Sequence, residues 1–230
     1  MKGHPPNSHL SGGFSLVELL IVMAIAGALL VLAASSGDGW GEQAAQRGAI
    51  SQVASALDRA RAHAIANDGY AAFVVAGPEA QEKAWRQVAV VAVRELPAGG
   101  DFPYELADAS DTPGVEAPAD PIDLVMPWMD LPKGLILFGR AHGAPVESMV
   151  DDTAALKVPT LKNGPLTGCK VIVFNGQGAV VYPTQKSRRV ARVAPGEGDG
   201  TATKILQPDR AEAMPAAFVE RFTGRIRLVK

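Results

Sequence analysis

The feature that most narrows the fold is a run of apolar residues from position 14 to position 34, interrupted by a single charge, Glu18. About 20 helical residues cross the hydrocarbon of a bilayer, so the run is long enough to span one. An acid at the centre of such a helix costs about 2.5–3.5 kcal/mol on insertion scales. Glu18 stands near the start of the run, and a carboxylate in that setting demands a partner and a function. Ahead of it lies a largely hydrophilic leader containing Lys2, His4 and His9 and ending in Gly12 and Gly13. Secretory signals place their cleavage site after the apolar region, whereas this leader ends before it.

Leader, Gly13, Phe14, Glu18 as the fifth residue after the break, then an unbroken apolar helix: this order resembles the N-terminus of type IV pilins and type II secretion pseudopilins. The resemblance implies that a prepilin peptidase cuts after Gly13 and methylates the new amino group of Phe14. It also implies that Glu18 pairs with the cationic N-terminus of an adjacent subunit. In a low-dielectric bundle such a pair fixes register, because a misaligned subunit leaves a carboxylate unpaired. Phe14 and Glu18 are four apart, so the pair can also form within one helix before assembly. The implied setting is the bacterial inner membrane, with a single pass, a periplasmic C-terminal domain and, after assembly, a filament. The implied partners are the peptidase, other pilin or pseudopilin subunits and the membrane. Lys2 fits retention of the leader on the cytoplasmic side.

Behind the anchor, the 230-residue chain leaves room for one ordinary domain. Its formal net charge of −2 conceals an uneven spread. Residues 101–152 hold 11 acids against Lys133 and Arg140, and residues 153–230 hold 13 bases against five acids. That asymmetry is read as oriented contacts, as an anionic partner, or as an ordinary solvated surface. A lone cysteine, Cys169, excludes an intramolecular disulfide and is expected to be a small buried side chain. Once the leader is removed only His63 and His142 remain, in unrelated contexts. There is no zinc spacing, phosphate-binding loop, dinucleotide fingerprint or nucleophile elbow. The carboxylates of 101–130 lack the spacing of a calcium-binding loop, although Asp108, Asp111 and Asp120 are conceivable ligands. The expectation is a protein with no catalytic residues, no cofactor and no metal, itself the substrate of an enzyme.

The expected fold class is α+β. A long N-terminal membrane-spanning helix over residues 14–36 follows the removed leader, residues 1–13. Gly37, Gly39 and Gly41 each cost about 1 kcal/mol relative to alanine, so a kink or break is expected over 37–41. Helical periodicity resumes over 42–69, where Ile50, Val53, Leu57 and Ala64 form an apolar stripe and Arg47, Gln52, Asp58 and Arg59 take other faces. That helix is expected to pack on an antiparallel β-sheet domain over 70–230. Strands are expected at 70–76, 85–94 and 134–138, with hairpins at 170–174/179–182, 188–193/201–206 and 217–222/225–229. Seven prolines lie in the acidic stretch 97–133, which reads as an extended surface loop reaching a neighbouring subunit through Trp128 and Met129.

Residues 57–67, rich in alanine and arginine and followed by the strand at 70–76, are similar to the end of the long helix in the GspH/FimT minor pseudopilin group. The hairpin at 171–182 and the terminal Gly224, Arg225, Ile226 and Arg227 are similar to that group too. In some of its members a terminal Gly-Arg-x-Arg element contacts DNA during uptake, which makes Arg225 and Arg227 candidate nucleic-acid contacts here. Two arginines at i and i+2 on a strand share a face and can meet phosphates together. Charges so placed also suit a solvated edge strand, where they discourage aggregation. Lys186, Arg188, Arg189 and Arg192 would extend such a patch if the fold brings them near. The resemblance therefore implies a minor pseudopilin or pilin subunit, with a DNA-binding minor pilin as the alternative.

Overall fold

The computed structural model describes residues 16–93, 122–151, 156–158, 166–198 and 202–229. The chain divides into two compact units, residues 1–44 and 45–230. One helix, α1 (Leu16–Ala66), contributes to both. Residues 37–41 fall inside it, so the expected break is not seen as an interruption of helical structure. Glycine weakens a helix without forbidding it, and good helix formers on both sides offset a cost of about 1 kcal/mol per residue.

In the second unit the apolar stripe behaves as its spacing requires. Ala49, Ile50, Val53, Ala56, Leu57, Ala60 and Ala64 are buried, while Arg47, Asp58 and Arg59 are exposed. The helix ends where Asp68 takes a left-handed conformation at φ 45°, and the Gly69 N–H closes the last turn on the Ala64 carbonyl at 3.1 Å. Asp tolerates this region because its short polar side chain bonds locally.

Among the described residues eleven strands follow, all antiparallel where they pair: β1 (Tyr70–Val75), β2 (Gln87–Val93), β3 (Ile122–Asp130), β4 (Leu135–Leu137), β5 (Leu156–Val158), β6 (Leu166–Phe174), β7 (Val180–Tyr182), β8 (Val190–Glu197), β9 (Lys204–Ile205), β10 (Ala216–Val219) and β11 (Ile226–Val229). They form two sheets. The first runs β3-β2-β1-β6-β5, with β7 also on β6; the second runs β11-β10-β8-β4, with β9 also on β8. The α1 stripe, one face of β1, β2 and β6, and the inner face of β4, β8 and β10 share one core built on Leu57, Phe73, Ile136, Phe138 and Phe174. A second cluster, Ala72, Val74, Val91, Cys169, Val171 and Val173, lines the opposite face of the first sheet. Strand β1 is therefore buried on both faces, which is why its sequence is a continuous apolar run rather than an alternating one.

Residues 122–130, expected to lie in a surface loop, form β3 instead. The strand sits at the sheet edge, and its register slips between the Val88–Met129 and Val90–Met126 pairs, around Pro127. Edges and bulges are the places where a strand accommodates proline, since no ladder hydrogen bond is lost there. Trp128 and Met129 are half-buried, packed on the two faces of the first sheet. A 3-10 turn at Met149–Asp151 precedes β5. The segment 97–121, with Asp108, Asp111 and Asp120, lies outside the described residues.

Candidate functional site

The N-terminal constellation is the first candidate. Gly13 and Phe14 lie outside the described residues, while Glu18 occupies the first turn of α1. A carboxylate there complements the positive end of the helix dipole. Around it the helix is apolar on every side: Leu16, Val17, Leu19, Leu20, Ile21, Val22, Met23 and Ile25 are all more than half exposed. Leu16, Leu19, Leu20, Met23 and Ala24, at spacings of three and four, line a shallow apolar groove along one side. In water such a surface is unfavourable at about 25 cal/mol per Å² of apolar area, so it belongs against lipid or other helices.

Residues 9–34 match the family described as the prokaryotic N-terminal methylation motif. The motif is of the type IV pilin and pseudopilin class. It implies a membrane-anchored, pilin-like subunit that is processed by prepilin peptidase and assembles with other pilin subunits. Among the described residues no helix is long and apolar enough to cross a membrane. No curated protein and no solved structure matches the chain.

The C-terminal arginines form the second candidate, and the structure gives their motif a structural job. Gly224 adopts φ +60°, and a Cβ there would run into the Gly178 carbonyl oxygen. Its N–H donates to the Glu220 carbonyl at 2.9 Å, and the Thr223 carbonyl accepts a hydrogen bond from Arg61 Nε at 3.0 Å. The β10–β11 turn is thereby pinned to the end of α1 and to the loop between β6 and β7. Arg225 is exposed just before β11, and its N–H donates to Thr223 Oγ1 at 3.2 Å. Arg227 makes an ion pair with Glu220 at 2.6 Å, and the other oxygen of that carboxylate accepts from Thr223 Oγ1 at 2.9 Å. The pair is half-exposed and contributes about 0–1 kcal/mol, but it does compensate the Arg227 charge.

The basic residues of 186–192 do converge on this sheet, though not as one patch. Arg227 sits opposite Phe218 in the ladder, and Lys186 Nζ lies 5.8 Å from the Phe218 ring centroid. Arg192, opposite Ala216, shares that outer face; burial lowers its pKa and Glu212 opposes the shift. Arg188 belongs to the 3-10 turn at Ser187–Arg189. Arg189 is buried instead, its Nη1 donating to the Thr184 carbonyl at 2.9 Å.

One cluster gave no sequence signal. Ser148, His142 and Asp151, residue types of a catalytic triad, lie in one loop after β4, but their bonds run to the backbone. Asp151 accepts N–H groups from Arg140, Ala141 and Ser148, each at 2.9 Å. Ser148 Oγ donates to the Phe138 carbonyl, and His142 Nδ1 accepts from the Gly139 N–H at 3.2 Å. The His142 ring stands edge-on to Trp85 at 5.0 Å. The arrangement staples the loop and offers no nucleophile. His63 is half-buried in the last turn of α1. Cys169 is buried as expected, and burial pushes its pKa up to about 12, so the thiol stays protonated and unreactive. Among the described residues no group of acids, histidines and cysteines could hold a metal.

Proposed function

We propose that the chain is a minor pseudopilin or pilin subunit of a type II secretion pseudopilus or a type IV pilus-like filament. Prepilin peptidase cleaves between Gly13 and Phe14 and methylates Phe14. The apolar helix holds the subunit in the bacterial inner membrane, with the β-rich unit in the periplasm. During assembly Glu18 pairs with the N-terminus of a neighbouring subunit while the apolar faces bundle. The observation that supports this reading is the motif at 9–34 with Glu18 in the first turn of an otherwise apolar helix. The GspH/FimT group remains the branch that the later sequence resembles. The protein works without a catalytic residue or cofactor of its own. Glu18→Ala should be cleaved normally and fail to enter filaments; wild-type incorporation of that variant would remove the basis of the reading.

A second reading, a DNA-binding minor pilin, draws on Lys186 over the Phe218 ring and on Arg227 opposite Phe218 in the ladder. The Glu220 carboxylate already held by Arg227 weighs against it. Duplex binding that weakens with salt and is lost in Arg225→Ala/Arg227→Ala would support it, and no binding at low salt would reject it.

A further inference from the structure

We propose that the loop after β4 is an acid-released latch, in which protonation of His142 lets residues 139–151 open while both sheets stay paired. The loop is folded back on itself. Its first arm, residues 138–142, is tied to its second, residues 147–151, by three side chains. The Asp151 carboxylate accepts the N–H groups of Arg140 and Ala141 at 2.9 Å, and Ser148 Oγ donates to the Phe138 carbonyl. Arg140 makes an ion pair with Glu147 at 3.1 Å. Gly143, at φ 80°, turns the chain after the first arm. His142 stands on that arm, 3% exposed, and its Nδ1 accepts the Gly139 N–H at 3.2 Å. An imidazolium has two N–H donors and no acceptor, so this bond exists only for the neutral ring. Protonation sets one N–H against another and leaves a charge buried edge-on to Trp85, 5.0 Å away between ring centroids. Swinging the first arm into water relieves both.

The surrounding charges do not remove this penalty. The 3-10 turn at Met149–Asp151 packs on the turn at Arg140–His142, on β6, on β8 and on the turn at Ser187–Arg189. The charged residues of those elements are Arg140, Lys170, Arg192, Glu197, Arg188 and Arg189, and Arg86 follows Trp85. The charge that bears on His142 is the Asp151 carboxylate, which favours the cation but is already committed to three N–H groups. Burial outweighs both Asp151 and the Gly139 backbone and keeps the ring neutral to lower pH than an exposed histidine. Opening has a defined consequence. Ala144, Met149 and Val150 are buried in the main core, so a released loop bares apolar side chains that the closed loop covers. The domain thus has two surfaces, selected by acidity. The latch belongs to the second unit and does not depend on the subunit reading. On the periplasmic placement proposed above, it would respond to acidity outside the inner membrane.

The test is amide hydrogen exchange of the full chain in mild detergent, read by peptide mass at about pH 7.5 and about pH 5 and corrected for intrinsic exchange rates. Protection within 139–151 should fall about tenfold at the lower pH, while peptides of β1, β2 and β6 keep theirs. His142→Gln supplies an amide oxygen that accepts the Gly139 N–H at either pH, so its loop should stay protected under both conditions. Asp151→Asn weakens the tie between the arms and should open the loop at the higher pH with the sheets still protected. Equal loss from loop and sheets, in acid or in Asp151→Asn, would make the event global unfolding and overturn the inference. An unchanged loop would overturn it too, as would acid opening that persists in His142→Gln. If His142→Gln does not fold, the wild-type His142 Cε1–H resonance carries the decision. Its titration midpoint must coincide with that of loop opening, and midpoints more than about half a pH unit apart would sink the latch.

Discussion

His142 shows how a polar residue is used inside this core. Its Nδ1 accepts the Gly139 N–H and so must be unprotonated, and the ring is buried against Trp85. Burial lowers its pKa below 6.5, and the Asp151 carboxylate opposes that shift. A histidine whose folded pKa is depressed binds fewer protons folded than unfolded, so stability rises with pH through that window. The contribution is complete above the unfolded value of about 6.5 and is lost as pH falls below it. Urea midpoints should therefore decline below about pH 6.5, and His142→Gln should flatten the decline; an unchanged pH profile in the variant would assign it to other groups. Trp85 shares the strain at this joint. It sits at φ 63°, uncommon for a bulky side chain, while its N–H and carbonyl bond to Ala76 and Leu137 at 2.9 and 2.7 Å.

At the scale of elements, the turn between β10 and β11 separates structure from recognition. Gly224 is required by a positive φ and by the Gly178 carbonyl, whereas Arg225 points to solvent. Gly224→Ala should cost about 1–3 kcal/mol through overpacking, even though both arginines remain. Chemical denaturation of that variant beside Arg225→Ala, expected within about 0.5 kcal/mol of wild type, measures the difference. The motif was legible as residues but not as roles, because the Gly178 contact lies 46 positions away in the chain. The α1 stripe was legible because burial follows a 3.6-residue period, and the hairpins because each apolar pair flanks turn residues. Strand β3 was not, since Pro127 argues against a strand until an edge position and a bulge are known. The division into two sheets was also hidden: the pairing of β8 with both β4 and β10 depends on contacts far apart in sequence. The buried Arg189 gave no signal of its own among its basic neighbours, because burial of one arginine in a run depends on which way the strand turns.

At the scale of the whole molecule, building the subunit into a filament and folding its domain are separable tasks. The described core of the second unit begins at Ala45. The N-terminal unit carries the motif at 9–34 and exposes its apolar side chains for lipid or neighbouring helices. Blocking the leader cleavage should therefore abolish assembly and leave the domain alone. A Gly13→Leu chain is expected to keep its 13-residue leader and lack the methylated Phe14 terminus. On the proposed reading its Glu18 then has no terminal ammonium to pair with in a neighbour, and the register-setting pair cannot form. Intact-mass measurement reads the first effect, and filament incorporation reads the second. The urea midpoint of the domain should stay within about 0.5 kcal/mol of wild type, as for substitutions remote from a core. A large loss of stability in Gly13→Leu would show that the anchor unit supports the domain, and separability would fail with it.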